Sequence, residues 1–188
     1  MRPTLIFLTT LCAILPLAAT AQSATNTPPT EIENFELQTD AVIVKGVSDI
    51  GSVGTEAGTI LIRCKESDNV TSGQKQYAMA VTIENTQAKM TLFVDYDELD
   101  TLIRGLNYLS KITFNVTTMP SFDATITTRS GFRAGAHSER QQGSIQLFLQ
   151  FTGTPRILVR PDQFAQFQYL VGQAKTALDT ARSKEQGS

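Results

Sequence analysis

The clearest pattern of apolar and polar positions lies near the C-terminus of the chain. After a short apolar run at 157–159, apolar side chains recur at intervals of three and four residues over residues 164–181. This spacing places them along one face of an α-helix. Pro161 and Asp162 suit the first turn, because proline needs no N–H partner there and a carboxylate complements the positive end of the helix dipole. Since such a helix is only marginally stable alone in water, we expect it to pack on a sheet or another helix.

The same order of features occurs earlier in the chain. Residues 92–99 align without a gap on residues 157–164, at a constant offset of 65 residues, and a second amphipathic helix is predicted at about 96–110. Each stretch is preceded by alternating β-type runs. The pattern indicates two β-rich units, each closed by a helix and related by an approximate internal repeat. The alternative is chance similarity, because every strand-to-helix junction needs a polar cap followed by periodic apolar residues.

Alternating apolar and polar runs predict about eight β-strands. Their connections are of hairpin length, which favours antiparallel pairing, since a parallel crossover needs a dozen or more residues. The predicted fold class is therefore α+β, with a largely antiparallel sheet of about eight strands and two amphipathic helices packed on it. The glycine-rich residues 48–58 are predicted to form a loop. The predicted strands are 41–47, 60–65, 77–83, 90–94, 112–116, 122–128 with 132–136 as one long strand or a hairpin, 145–151 and 157–159.

The layout of several strands plus a helix, repeated twice, is similar to that of the single-stranded nucleic-acid binders of the Whirly and PUR group. The resemblance is one of architecture, and a fold by itself does not determine function. The basic, aromatic-rich sheet faces of those proteins are not evident in this sequence. The formal net charge of −2 also argues against bulk nucleic-acid binding. No nucleic-acid partner is expected.

The N-terminus has the composition of a signal peptide. Residues 1–21 contain Arg2, an apolar core and the small-residue ending Ala19-Thr20-Ala21, which predicts cleavage before Gln22 and export to the periplasm or the cell exterior. No later segment is apolar for long enough to cross a bilayer. The remaining predicted organisation is a flexible linker at 22–35, a single α+β domain at 36–182 with approximate halves 36–110 and 111–182, and a disordered tail at 183–188.

The two cysteines indicate a domain without an internal disulfide. Cys12 would leave with the signal peptide, so Cys64 would have no partner in the same chain. Cys64 alternates in register with Ile60 and Ile62, which is typical of a small buried apolar side chain. The alternative is a reactive or intermolecular thiol, although no histidine is close in sequence to activate it.

The densest acidic cluster is Asp95, Asp97, Glu98 and Asp100. It does not form a calcium-binding EF-hand loop, because Asp100 and Leu106 stand where that loop needs glycine and glutamate. We interpret the carboxylates as charges that complement the start of the following helix. The chain has one histidine, which excludes a multi-histidine metal site. No metal and no cofactor are predicted.

One constellation suggests ligand binding. Arg129, Arg133 and His137 have the same sequence parity, so in an extended segment they share one face. Gly131 and Gly135 lie between them and would let a flat or anionic ligand approach the backbone. Arg140 is predicted to join them from the following turn, because guanidinium groups bind anions well. The alternative is a solvated strand face whose arginines pair with carboxylates on neighbouring elements.

The sequence therefore favours a non-catalytic exported domain that binds or scaffolds, with an unknown protein or a small anionic ligand as partner. It contains no phosphate-binding glycine loop after a strand, no paired cysteines for zinc and no Gly-x-Ser-x-Gly elbow. The alternative function is a hydrolase-like enzyme that uses His137 with a nearby carboxylate, Asp123 or Glu139.

Overall fold

The computed structural model describes residues 30–86, 89–139 and 143–186. The predicted signal peptide therefore lies outside the described residues. The elements run in the order α1 (Glu31–Glu36), β1 (Ile43–Thr55), β2 (Gly58–Asn69), β3 (Gln74–Glu84), β4 (Lys89–Asp95), α2 (Leu99–Leu109), β5 (Ser121–Thr127), β6 (Arg133–Glu139), β7 (Ser144–Gln150), β8 (Ile157–Val159) and α3 (Pro161–Gln186), with short 3₁₀ turns at Tyr96–Glu98 and Phe114–Val116.

The strands form two antiparallel sheets instead of the one sheet that the sequence suggested. Their strand orders are β1-β2-β3-β4 and β5-β6-β7-β8, and a helix follows the last strand of each sheet. The α+β class and the antiparallel pairing are confirmed, and the two-sheet arrangement fits the predicted pair of units. The single sheet was wrong because α2 separates β4 from β5, so β5 begins a new sheet.

The two long helices are exchanged between the halves of the molecule. Helix α3 follows β8 of the second sheet but packs on β1, β2 and β3 of the first. Helix α2 follows β4 of the first sheet but packs on β5 and β6 of the second. The two helices also contact each other. The apolar face of each sheet is therefore covered by the helix of the other unit, and both sheets share one core.

The predicted apolar stripes are the helix faces that make these contacts. Phe132, in the turn between β5 and β6, has its ring centroid 5.7 Å from that of Phe167 in α3 and 5.6 Å from that of Phe151. These rings also join α3 to the second sheet. The buried members of the stripes are Leu99, Leu102, Leu106 and Leu109 of α2 and Phe164, Phe167, Val171, Ala174 and Leu178 of α3.

Two glycines set how closely each helix approaches its sheet. A Cβ atom built on Gly105 of α2 would lie 2.3 Å from Cδ1 and 3.1 Å from Cβ of Ile126 in β5. A Cβ atom on Gly51 of β1 would lie 2.7 Å from Cδ2 of Leu170 in α3. These distances are too short for carbon atoms in contact. Glycine at each position therefore allows the exchanged helix to lie against its sheet.

Strand β1 extends through the residues predicted as a loop. It continues to Thr55, with a register shift against β2 between Asp49 and Gly51. The side-chain amides of Gln163 and Gln166 in α3 donate hydrogen bonds to the carbonyls of Gly54 and Ser52, at 2.7 and 2.9 Å. The loop prediction was wrong for residues 48–55, where Gly51 serves close packing of α3; Gly58, with φ of +135°, lies at the turn between β1 and β2 as the first residue of β2.

The strand predicted at 112–116 was also wrong. Residues Phe114–Val116 form a 3₁₀ turn, and Val116 is exposed. Alternation alone does not make a strand when no neighbouring strand pairs with it. The hairpin alternative for 122–128 and 132–136 is confirmed by β5 and β6, which pair in antiparallel register.

Both ends of the described chain are more ordered than expected. Residues 31–35 fall in the predicted linker but belong to α1, which buries Ile32 and Phe35. Thr30 and Glu33 cap this helix reciprocally, side chain to backbone N–H in each direction. At the other end, α3 continues to Gln186, beyond the predicted start of the tail.

Within residues 30–86, 89–139 and 143–186, no helix has both the length and the apolar character needed to cross a membrane.

Replacing Gly105 by Ala tests the packing of α2 on β5. We expect Gly105→Ala to destabilise the protein by about 1–3 kcal/mol, because the added methyl group overlaps Ile126. Gly172→Ala in α3 is the matched control, since a Cβ atom there meets nothing within 4 Å, and it should be neutral or stabilise by up to about 1 kcal/mol. Urea unfolding of both variants measures the difference. Equal stability of the two variants would contradict the packing.

Candidate functional site

Arg129 does not share a face with Arg133 and His137. It lies in the turn before β6, where its guanidinium faces Glu31 at 3.0 Å, Asp95 at 3.3 Å, Asp97 and Glu98. Its backbone N–H also donates to Glu98 Oε1 at 2.8 Å. Arg129 therefore joins the turn between β5 and β6 to carboxylates of the first unit. This agrees with the alternative prediction, in which the arginines pair with carboxylates on neighbouring elements.

Asp97, Glu98 and Asp100 lie in the first turns of the following helical segment, as predicted, whereas Asp95 stabilises a different helix. The Asp95 carboxylate accepts hydrogen bonds from the N–H groups of Glu31 and Ile32, at 2.8 and 3.2 Å, so it caps α1 rather than α2. Burial raises the pKa of the Asp95 carboxyl, while these two hydrogen bonds and the charge of Arg129 act in the opposite direction. The cluster thus holds α1 against the end of β4.

Arg133 and His137 do share the outer face of β6, as predicted. The strand register places Asp123 and Gln146 beside His137, and Thr127 and Gln150 beside Arg133. Arg133, Thr127 and Gln146 are exposed, so no described element covers this part of the face. We define the open face as the outer side of the second sheet around β6. Arg140 lies outside the described residues.

The space above Gly135 is occupied by protein. A Cβ atom on Gly135 would lie 2.4 Å from Cζ of Phe148, whose side chain is fully buried. The guanidinium of Arg156 lies over the Phe148 ring, 4.2 Å from its centroid. Its Nη2 atom is 2.5 Å from Oδ2 of Asp123. Because residue 135 is glycine, the Phe148 ring can pack directly against the backbone of β6. The Arg156 guanidinium lies on this ring and reaches Asp123 in β5.

Arg156 was missed in the sequence because no pattern marks it. It follows the turn at 152–155 and stands just before β8, outside any periodic run. Its position depends on Phe148, eight residues earlier, and on Asp123 in β5, the strand at the opposite edge of the sheet. Only the folded sheet brings these three side chains together.

His137 and Asp123 are neighbours, but their geometry differs from that of a catalytic pair. His137 Nδ1 lies 3.8 Å from Asp123 Oδ2, beyond hydrogen-bond distance, and the imidazole is 37% exposed. The Asp123 carboxylate instead binds Arg156. The carboxylate therefore does not orient the imidazole in the way that a Ser-His-Asp arrangement requires.

The remaining chemical groups fit structural roles. Cys64 is buried, and its thiol donates to the carbonyl oxygen of Ala174 at 3.4 Å. Burial raises the pKa of this thiol to about 11, which disfavours the reactive thiolate. Among the described residues, no group of three or more His, Cys, Asp or Glu side chains is placed to hold a metal ion.

Comparison of the chain with protein-family models, curated proteins and solved structures finds no match.

Arg129 provides a test of the junction between the two units. We expect Arg129→Ala to destabilise the protein by about 1–3 kcal/mol at neutral pH, because Asp95 stays buried without its cation. The loss should shrink as pH falls, since protonated carboxylates no longer need the arginine. For Asp95 protonation begins above the ordinary value of 3.8, because its pKa is raised.

Urea unfolding at neutral pH and at about pH 3 measures both effects. Arg104→Ala is the matched control, because Arg104 is exposed and its side chain bonds to Thr101 on the same helix. A loss for Arg129→Ala that equals the control, or that does not change with pH, would contradict this account of the junction.

Proposed function

We propose that the chain is an exported, non-catalytic binding module whose ligand surface is the open face of the second sheet. The composition of residues 1–21 supports export. The observation that carries the binding role is the Arg156 guanidinium, which lies over the buried Phe148 ring, 4.2 Å from its centroid, and is bound by Asp123.

This arrangement prepares Arg156 for recognition. A guanidinium on an aromatic ring loses water from one side but keeps several in-plane N–H donors for a ligand. Asp123 and Phe148 restrict its rotation, so less conformational entropy is lost when an anion binds. A free, solvated arginine would lack this advantage.

The arginines of the open face supply donors for an anion. Arg133 and Arg156 lie on this face, and the Asp123 carboxylate, beside His137, is paired with Arg156. Arginine binds carboxylate and phosphate groups in a bidentate manner. The proposed ligand therefore carries a carboxylate or a phosphate, either as a small molecule or as an acidic side chain of a protein.

The hydrolase-like alternative has less support. Its two candidate groups, His137 and Asp123, are close, but Arg156 neutralises the carboxylate that the mechanism would use. The anion-binding role uses Arg156 in the position that Phe148 and Asp123 give it.

The test is a ligand-dependent melting temperature at low ionic strength, with inorganic phosphate, citrate and a glutamate-rich peptide as probes. We expect at least one probe to raise the melting temperature of the wild-type protein and to have no effect on an Arg133→Ala, Arg156→Ala double variant. Arg104→Ala is the matched control, because Arg104 is exposed on α2, which packs on the inner side of the second sheet. It should keep the wild-type response.

Two results would refute the proposal. One is the absence of any shift in the wild-type protein with all three probes. The other is an equal shift in the double variant and in Arg104→Ala. Circular dichroism of the double variant separates lost binding from lost folding.

A further inference from the structure

Among the described residues, the first half of β1, at residues 43–49, is a free sheet edge. Strand β1 stands at the end of its sheet, and β2 is the one strand of residues 30–86, 89–139 and 143–186 that pairs with it. The carbonyl of Val42 accepts a hydrogen bond from the N–H of Val70, at 3.0 Å. Because antiparallel pairing alternates, Ile43, Lys45 and Val47 then direct their N–H and C=O groups away from the sheet. In the second half of β1, side chains of α3 bind outward carbonyls instead.

Apolar side chains collect around this free edge. Val42, Val44 and Val47 are 64%, 54% and 62% exposed. A hydrogen bond of 2.6 Å from Asn69 to Gln38 brings the end of α1 beside the same corner. Exposed apolar groups next to unpaired strand backbone are typical of an interaction surface. Of the ten large apolar side chains that are exposed in the described residues, five belong to this corner: Leu37, Val42, Val44, Val47 and Val70.

The charges along the edge of one copy are complementary to those of a second copy in antiparallel orientation. Two copies of β1 that pair antiparallel about Val47 place Lys45 of each copy opposite Asp49 of the other, because the residues are equally distant from the axis. Pairing about Lys45 or about Asp49 opposes like charges. Pairing about residue 46 or 48 opposes a charged side chain to an aliphatic one. The register about Val47 is therefore favoured over its neighbours.

Each of the two charges already has an opposite charge beside it. Lys45 Nζ lies 2.7 Å from Glu36, and Asp49 lies 2.6 Å from Arg63. Both remain accessible, with side chains 47% and 78% exposed. In the paired edges, Glu36 and Lys45 of one copy would meet Asp49 and Arg63 of the other, so the signs alternate across the interface. Such a network is stronger than an isolated surface pair.

From this edge we infer that the protein forms a symmetric dimer in which the β1 strands of two copies pair antiparallel about Val47 and join their first sheets. The dimer covers the exposed valines and satisfies the outward backbone groups of both strands. It leaves the open face of the second sheet free, so it is independent of the proposed anion binding.

A charge-swap series tests the dimer by sedimentation velocity, on the purified chain from residue 22 onward. The wild-type protein should be dimeric at high micromolar concentration. Lys45→Asp and Asp49→Lys each oppose like charges and should raise the dissociation constant at least about tenfold. The double variant with both substitutions restores opposite charges and should return to within about threefold of wild type. Melting temperature and circular dichroism establish that each variant is folded.

Three results would overturn the inference. The first is a wild-type protein that stays monomeric at high micromolar concentration. The second is a dimer that both single variants keep, or that the double variant does not restore, because another surface then forms it. The third is a monomer that dimerises only after residues 22–29 are removed, which would identify that segment as the occupant of the edge.

Discussion

The exchange of α2 and α3 between the two sheets is the constraint on which the rest of the structure depends. A four-stranded sheet with one apolar face needs a cover, and in each unit the cover comes from the other half of the chain. The shared contacts of Phe132 with Phe151 and Phe167 join the helices and sheets into one core. Neither unit has a complete core without its partner.

This arrangement separates the shared core from the outer faces of the two sheets. Both long helices lie on the inner faces of the sheets, so the outer faces are free to carry other groups. The outer side of the first sheet holds α1, clamped by Glu36 to Lys45 and Lys65 at 2.7 and 2.6 Å. On the second sheet, exposed polar side chains surround Arg156. Substitutions on these surfaces therefore change charge and contact without opening the core.

Local features could be predicted from the sequence because they depend on neighbouring residues. The helical stripes and most strands follow from periodicity, and Arg133 and His137 share a face because they belong to one strand. The prediction for Arg129 failed because residues 128–132 form a turn between β5 and β6, so the alternation of side chains in β6 does not extend back to Arg129. The cap of α1 by Thr30 and Glu33 was readable as a capping box, although the polar sequence before it favoured a linker.

Features that depend on distant residues could not be predicted in this way. The carboxylates around Arg129 come from residues as many as 98 positions away. Periodicity identifies the apolar face of each helix, but it carries no information about which of the two sheets that face contacts. Gly51 resembled a loop former because Leu170, the residue that it contacts, is remote in sequence.

Fragment complementation tests the exchange most directly. Residues 30–110 and 111–186 would be produced separately, and the unfolding of each fragment and of their mixture followed by near-ultraviolet circular dichroism in urea. The exchange predicts that neither fragment unfolds cooperatively alone and that an equimolar mixture does, because each sheet then recovers its covering helix. A fragment 30–110 that unfolds cooperatively as a monomer, with α2 on its own sheet, would contradict it.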